Sequence, residues 1–526
     1  MLRFSVVVLC LAGLLLQGAS GADNKDTLNS IRSKRAPRKS APAPRSAPRS
    51  PRPKPTRASS PAPSAPKPAT PSTLIVAPLG GSPYRTLAAA IKAAKAGAKI
   101  RVRSGVYSES LLLDRAVEIV PDQFDPGGII VEGVAGPALT MATTAATVQG
   151  VTFRLRADSK ADYSVDVPRG RLTLDDCEIS SGAKAALAIR GAPAGASLTR
   201  CRIKGSLGDG VFLSEAASAT LTDCEIIDNA SAGLRALTKA RPVLQTCILR
   251  KNKAQGLFAG DGAVPTLAHC DLLENGGGGL VAEKEANATL RGGTVRGNTG
   301  TGVLARDQAR LTLESVTISG NAHGIEVHNS SNVTITGCKV IGQPNNGIAF
   351  RTNSHGTVER TEVSKCGWHG ISVETGADPV FRNCSSRENN ATALLVNDNG
   401  RGTFEDCDFA NGHDWSCVVV LAQSEPVLRR CKIRNSDRGG LEVGNGSRGV
   451  FEGVEVYDNG WSGVAFYRKA ESVMKGCTVR NNQHWGIYVY EEGRGTLENC
   501  DVRANGRGSI AFPTSGQPIV RDSRIQ

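Results

Sequence analysis

All four tryptophans of this 526-residue chain, Trp368, Trp415, Trp461 and Trp485, lie in its C-terminal half, with histidines close to three of them at His369, His413 and His484. The chain is only 4% aromatic, so this concentration is a place to look for chemistry. Tyr467, Tyr488 and Tyr490 lie in the same region. Flat rings with polar neighbours suit sugars, because the rings stack on a sugar face while charged groups hold hydroxyls or carboxylates. The candidate ligand-binding residues are therefore Trp368, Trp415, Trp461, Trp485, His484, Tyr467, Tyr488 and Tyr490. Catalysis asks for more. A lyase or epimerase needs a base and a cation to neutralise charge, and a hydrolase needs paired carboxyl groups. The candidates are His413 or His369 as base, Arg351 as electrostatic stabiliser, and Glu374 or Asp398 as acid partner. Turn packing or a protein interface would explain the same aromatics, and these readings stay open.

A repeat positions these residues. Cysteines stand at 177, 201, 224, 247, 270, 338, 384, 407, 431, 477 and 500, with steps of 23 or 24 or near-multiples. Gly293, Val316, Thr361, Val454 and Ser523 fill the missing rungs, and Val151 begins the series. The residue three before each rung is always apolar, as in Leu221, Leu244, Leu267, Phe381 and Leu497. Asn recurs five after the rung, at 229, 252, 275, 298 and 321, then 389, 459, 482 and 505. A unit this short cannot bury its apolar residues alone, but stacked units can. The pattern predicts an all-β, single-stranded right-handed parallel β-helix of about 17–19 coils, each holding three short strands. In that stack Trp368, Trp415 and Trp461 lie two coils apart, a row spaced by about 9.6 Å. Asn at a corner tolerates the left-handed conformation and can bond to its copy in the next coil.

Two further ladders follow from the register. In-register cysteines point in parallel at about 4.8 Å, too far for a disulfide, so they read as stacked buried thiols and not as a metal site. Cys366 and Cys417 leave the register, and their redox state stays open. Two before successive rungs stand Glu359, Arg382, Glu405, Arg429, Glu452, Lys475, Glu498 and Arg521. That alternation defines a 46-residue double repeat and penalises a slip of one coil.

The remaining segments concern location. Residues 1–22 read as a secretory signal peptide: Arg3, an apolar run from Phe4 to Leu16, then small residues. The run is too short for a transmembrane span, and no later segment is long and apolar enough. Residues 23–72 read as a disordered basic linker rich in Pro, Ala and Ser. Of the formal charge of +14, eleven units belong to Arg32–Ser72 and residues 1–31 are neutral, leaving about +3 for the folded 73–526. A body so nearly neutral offers no basic groove for nucleic acid. The linker suits an acidic envelope polymer or a solvated spacer, and the expected location is secreted, periplasmic or in the cell envelope. The last coil has no evident cap; it is either an edge open to an end-to-end oligomer or covered by Phe512 to Gly516.

The repeat resembles the right-handed β-helix superfamily of pectate lyases, pectin esterases, mannuronan epimerases and carbohydrate-binding or sugar-hydrolase repeats. The opening is similar too: Tyr84-Arg85-Thr86-Leu87, an Ala-rich helix ending at Gly97, then Ile100 to Tyr107 and Glu109. The resemblance implies a helix that plugs the N-terminal end of the stack. It carries over no catalytic residue, because the Asp-Pro-His-Asp motif of mannuronan epimerases and the corresponding motifs of polygalacturonases, pectin esterases and pectate lyases are missing. It implies a polysaccharide or glycan partner and three functions: a binding protein that could also process its ligand, a lyase, epimerase or hydrolase, or a non-catalytic surface rod. No motif calls for a metal or cofactor, calcium included.

Overall fold

A computed structural model describes residues 72–526, apart from Pro126 and Thr514. The leader and all but the last residue of the basic linker lie outside the described residues. No helix among the described residues is long and apolar enough to cross a membrane.

One short helix, α1 (Leu87–Ala93), precedes the stacked coils and buries Leu87, Ala90 and Ile91. Thr86 caps it by accepting from the Ala89 amide, and the Glu109 carboxylate accepts from the amides of Leu87 (2.7 Å) and Ala88 (2.9 Å). These bonds satisfy donors that a helix start leaves free, and they place a negative charge at the positive end of the helix. The helix stops four residues short of the expected Gly97. Ala94 is already extended, and Gly97, at φ +82°, turns the chain into the strand Ala98–Val102.

From there the chain winds as a parallel β-solenoid of about 20 turns. A typical coil holds three strands, for example Ser218–Thr222, Glu225–Ile227 and Leu234–Ala236. Each pairs in parallel with its copy one coil on: Leu221 with Leu244, Ile226 with Leu249, Leu234 with Leu257. The third strands form one sheet in linear succession, from Leu111–Leu113 to Gly508–Ala511. Inward residues stack as buried columns of Leu, Ile, Val, Phe and Cys along the axis. Each contributes about 1.5–3 kcal/mol of burial, so the repeat must keep an apolar residue at every such position.

The corners are tighter than the strands. Asp176, Arg200, Asp223 and Thr246, each just before its rung cysteine, have φ of 51–54°. A second left-handed position precedes the Asn column, at Asp228 (φ 55°), Lys251 (56°) and Glu274 (53°). This corrects the expected geometry. The asparagines themselves are not left-handed; they are buried, half-buried at Asn505, and their side chains turn inward to close the corner. Asn229 Nδ2 donates to Asn252 Oδ1 at 2.9 Å, and the chain of bonds continues through Asn275 and Asn298 to Asn321. It resumes from Asn459 through Asn482 to Asn505. Between them Gln343, Cys366, Asn389, Gly412 and Ser436 occupy the position, so the run of Asn-to-Asn bonds is broken next to the tryptophan-bearing coils.

The thirteen described cysteines are all free and buried. Rung thiols point at backbone carbonyls, as Cys224 Sγ does to Thr222 O at 3.3 Å. Burial pushes Cys366 up to about 11 and Cys417 to about 12, so neither is a thiolate at neutral pH. The charge ladder forms as expected: Arg382 bridges Glu359 (3.8 Å) and Glu405 (2.9 Å), and Arg429 bridges Glu405 (3.4 Å) and Glu452 (2.9 Å). In the last coil Ile519, Val520 and Ile525 are exposed, as is Phe512.

Candidate functional site

The third strand of each coil is three to six residues long, and its middle residue points outward. Along the pairing these outward residues form a column: Leu304, Glu326, Ala349, Ser372, Leu395, Val419, Glu442, Ala465, Tyr488. An outward residue on an open sheet should be wet, yet Ala349 and Ser372 are fully buried and Val419 is 1% exposed. The column is therefore the floor of a groove. One wall comes from the turn after the Asn corner, which carries Trp368, Trp415 and Trp461. The other comes from the strand ends and following turns, with Arg351, Glu374, Tyr467 and Tyr490.

The structure separates the predicted residues into two groups along this groove. The first is polar and centred on Glu326, which sequence reasoning did not single out. Its carboxylate accepts from Thr301 Oγ1 (2.5 Å) and Arg351 Nη1 (2.9 Å), and His323 and His328 each stand at 3.8 Å. Arg351 also reaches Glu374 at 3.7 Å. Burial alone would raise the Glu326 carboxyl, but the bonds from His328 and Thr301 and the charges of His323 and Arg351 hold it at about 2. His369 is 5% exposed, and its Nδ1 lies 2.9 Å from Thr392 Oγ1. Burial, aided by Arg351, lowers it to about 4, so it is a neutral ring at neutral pH and a poor proton acceptor.

Trp368 and Trp415 close over His369. Their centroids lie 6.4 Å apart at 65°, with His369 5.0 Å from Trp368 and 6.3 Å from Trp415. The expected flat row at two-coil spacing is not what forms here. The two indoles lean together edge to face, which aromatic quadrupoles favour, and both remain nearly half exposed (47% and 44%).

The second group lies further along. Trp461 packs on His484 (5.4 Å) and Tyr488 (6.4 Å), Tyr488 on Tyr490 (4.9 Å), and Tyr490 stacks on Tyr467 (5.2 Å, 6°). Trp485 is half-buried against His484 and takes no part in this strip. Between the two aromatic groups is a cavity of about 470 Å³, lined by Trp415 and Trp461 on its sides and by Ser416, Glu442, Asp414, Asp437 and Arg438.

Glu442 was not visible as a site residue in the sequence. Burial raises its pKa above the ordinary carboxylate value, and the nearby Ser416 hydroxyl offsets this only in part. That hydroxyl is itself buried and makes no hydrogen bond of good geometry, so it does not neutralise the carboxyl. Among the described residues no side-chain cation pairs with Glu442. The tyrosines feel it instead: burial first, then the Glu442 charge, pushes Tyr467 up to about 12 and Tyr490 higher still. The ring of Tyr467 lies over Gly444, where a Cβ would meet it at 2.6 Å, so the wall approaches the floor only because that position has no side chain.

Two catalytic candidates stand apart from the Arg351, Glu374 and His369 neighbourhood. His413 is exposed and pairs with Asp437 across 2.8 Å at the rim of the cavity. Asp398 is exposed on a left-handed turn (φ 51°), one residue past the groove-facing Asn397. Among the described residues no cluster of His, Cys, Asp and Glu has the arrangement to hold a metal ion.

Comparison with known proteins follows the architecture. The family model described as the right handed beta helix region matches residues 128–294, 278–414 and 416–526. Solved structures with similar winding include pectate lyase Pel9A, at 14% identity and a TM-score of 0.32 over 62% of this chain and 78% of that one. The periplasmic alginate epimerase AlgG matches at 11% and 0.31 over 68% and 77%, and the Azotobacter vinelandii mannuronan C-5 epimerase AlgE6 A-module at 13% and 0.21 over 83% and 93%. No curated protein matches the sequence. With three successive matches running through nearly all its coils, the chain belongs to the right-handed β-helix family.

Proposed function

We propose that this protein binds a polysaccharide along the groove of its C-terminal coils, outside the cytoplasm. The observation that carries the reading is the pair Trp415 and Trp461, 44% and 41% exposed on either side of one cavity in a groove floored by buried side chains. Exposed indoles are costly to leave in water and useful only to a ligand with a matching apolar face, which a pyranose ring has. A groove that runs across the parallel strands from coil to coil suits a chain and not a compact molecule. The leader and basic linker of the sequence support export and attachment to an acidic envelope polymer.

The test is binding of the full chain to a panel of neutral, uronate and amino-sugar polymers by affinity electrophoresis. Replacing Trp415 and Trp461 with Ala is expected to weaken retention by at least about tenfold, on the order of 1–3 kcal/mol per lost stacking ring. Unchanged retention would remove the groove from the account. A second reading, processing of the bound chain, is favoured by one observation: Glu442 has a raised pKa in the same cavity as Asp414 and Asp437, and a proton donor with a carboxylate opposite is the equipment of a hydrolase. Reducing ends released by the wild type and not by Glu442→Gln would establish it.

A further inference from the structure

We infer that the cavity between Trp415 and Trp461 is a subsite for an ammonium group, so that the bound polymer is one carrying free amino sugars. This rests on the polysaccharide reading above and names the chemistry of its central subsite. Three observations lead there. The first is charge: Asp414, Asp437 and Glu442 line the cavity against a single guanidinium, Arg438, which is exposed at the edge and does not act on Glu442. A uronate would bring a fourth carboxylate into that field. Upstream, Arg351 is already taken by Glu326 and Glu374, so it is not free to neutralise an acidic sugar.

The second is the walls. Indole faces attract cations, and the attraction grows when water is excluded. Trp415 and Trp461 flank the space, and the Tyr467–Tyr490 stack lies near enough to Glu442 for both phenols to feel its charge. The third is unmet demand. Ser416 is 3% exposed, lines the cavity and has a hydroxyl that makes no hydrogen bond of good geometry, while among the described residues no side-chain cation pairs with the half-buried Glu442 carboxyl. Buried polar groups are ordinarily satisfied, so an unsatisfied hydroxyl beside a carboxyl without a cation marks where a ligand's donors belong. An ammonium offers three donors and a charge, which meets both demands. A neutral hydroxyl would meet only the smaller one.

Charge linkage gives the inference a signature. The groups facing Glu442 are Ser416, Tyr467 and Tyr490, with Asp414, Asp437 and its partner His413, and Arg438 around the mouth. An ammonium held against the carboxyl favours its charged form and lowers its pKa, so binding expels a proton wherever Glu442 is protonated in the free protein.

The experiment is isothermal titration of the full chain with three probes of equal length: a glucosamine hexamer, the same hexamer fully N-acetylated, and a galacturonate hexamer, at a pH where the amine is charged. The glucosamine hexamer is expected to bind at least about tenfold tighter than the acetylated one, and Glu442→Gln to remove that advantage. Titration in buffers of different ionisation enthalpy should report proton release that the variant lacks. Equal affinities for the two hexamers, tightest binding of the galacturonate hexamer, or an advantage that survives Glu442→Gln would each overturn the inference while leaving polysaccharide binding standing. No binding of any probe, with Trp415 and Trp461 intact, would overturn both. A thermal unfolding midpoint of the variant at or above that of the wild type shows that the loss is not a folding defect.

Discussion

Glu326 and Glu442 occupy the same outward column, five coils or about 24 Å apart, on strands of nearly identical geometry. Both are sunk into the groove, and burial opposes the charge of each. Around Glu326 the neighbouring coils supply Thr301 and Arg351, its own coil supplies His323 and His328, and the carboxyl is held at about 2. Around Glu442 they supply Trp415, Trp461, Ser416 and Ala465, and the carboxyl goes up. The scaffold imposes position; the side chains of the same and adjacent coils decide whether a buried charge is compensated. The compensated one reads as structure and the uncompensated one as a site, because a protein rarely keeps an unpaired buried carboxyl without a use for it.

The largest way to break this contrast is to remove the compensation. Arg351→Met is expected to cost about 3 kcal/mol, because Glu326 then stays buried without its closest cation. The midpoint of thermal unfolding at neutral pH measures it, and an unchanged midpoint would show that the histidines suffice. His369 gives a smaller, pH-dependent effect. Its folded pKa of about 4 lies below the ordinary 6.5, so the stability it contributes is present above 6.5 and lost as pH falls through about 4. His369→Gln should remove roughly 2 kcal/mol of that acid sensitivity, seen as a flatter midpoint-against-pH curve over the same window. A curve of the same steepness would mean that other groups carry it.

The stacking was legible in the sequence because every coil must repeat the same demand. An apolar residue three before each rung, from Leu174 to Val520, is a requirement of one column, and sixteen copies of it cannot arise from anything else. The amide column was legible for the same reason. Its backbone was not: the left-handed residue precedes the asparagine and is Asp228, Lys251, Glu388 or Ala504, a set with no shared chemistry. The tryptophans were visible by composition, but not their tilt. Two coils of spacing separate the backbones of Trp368 and Trp415, while the rings close to 6.4 Å because side chains are long compared with a strand spacing.

Glu442 and Glu326 escaped notice because their column has no period. Ala, Ser, Leu, Val, Glu, Ala and Tyr succeed one another at the floor, and nothing in that order distinguishes a groove from a wet surface. What sinks them is the overhang of turns several residues away in each coil. The signal available was indirect. Glycine at 444, where later coils have Tyr467 and Tyr490, leaves room for a ring over the floor beside Glu442.

The most direct test compares the thermal stability of the wild type with Glu442→Gln across pH. The folded pKa of Glu442 is raised, so whatever stability its protonated form contributes is present below the unfolded value of 4.5 and is lost as pH rises through the folded one. The two proteins should therefore unfold alike in acid and diverge towards neutrality, with the glutamine variant the more stable. A wild type that is the more stable at neutral pH would mean that Glu442 has a partner in the fold, and the groove would lose the unpaired charge on which this account rests.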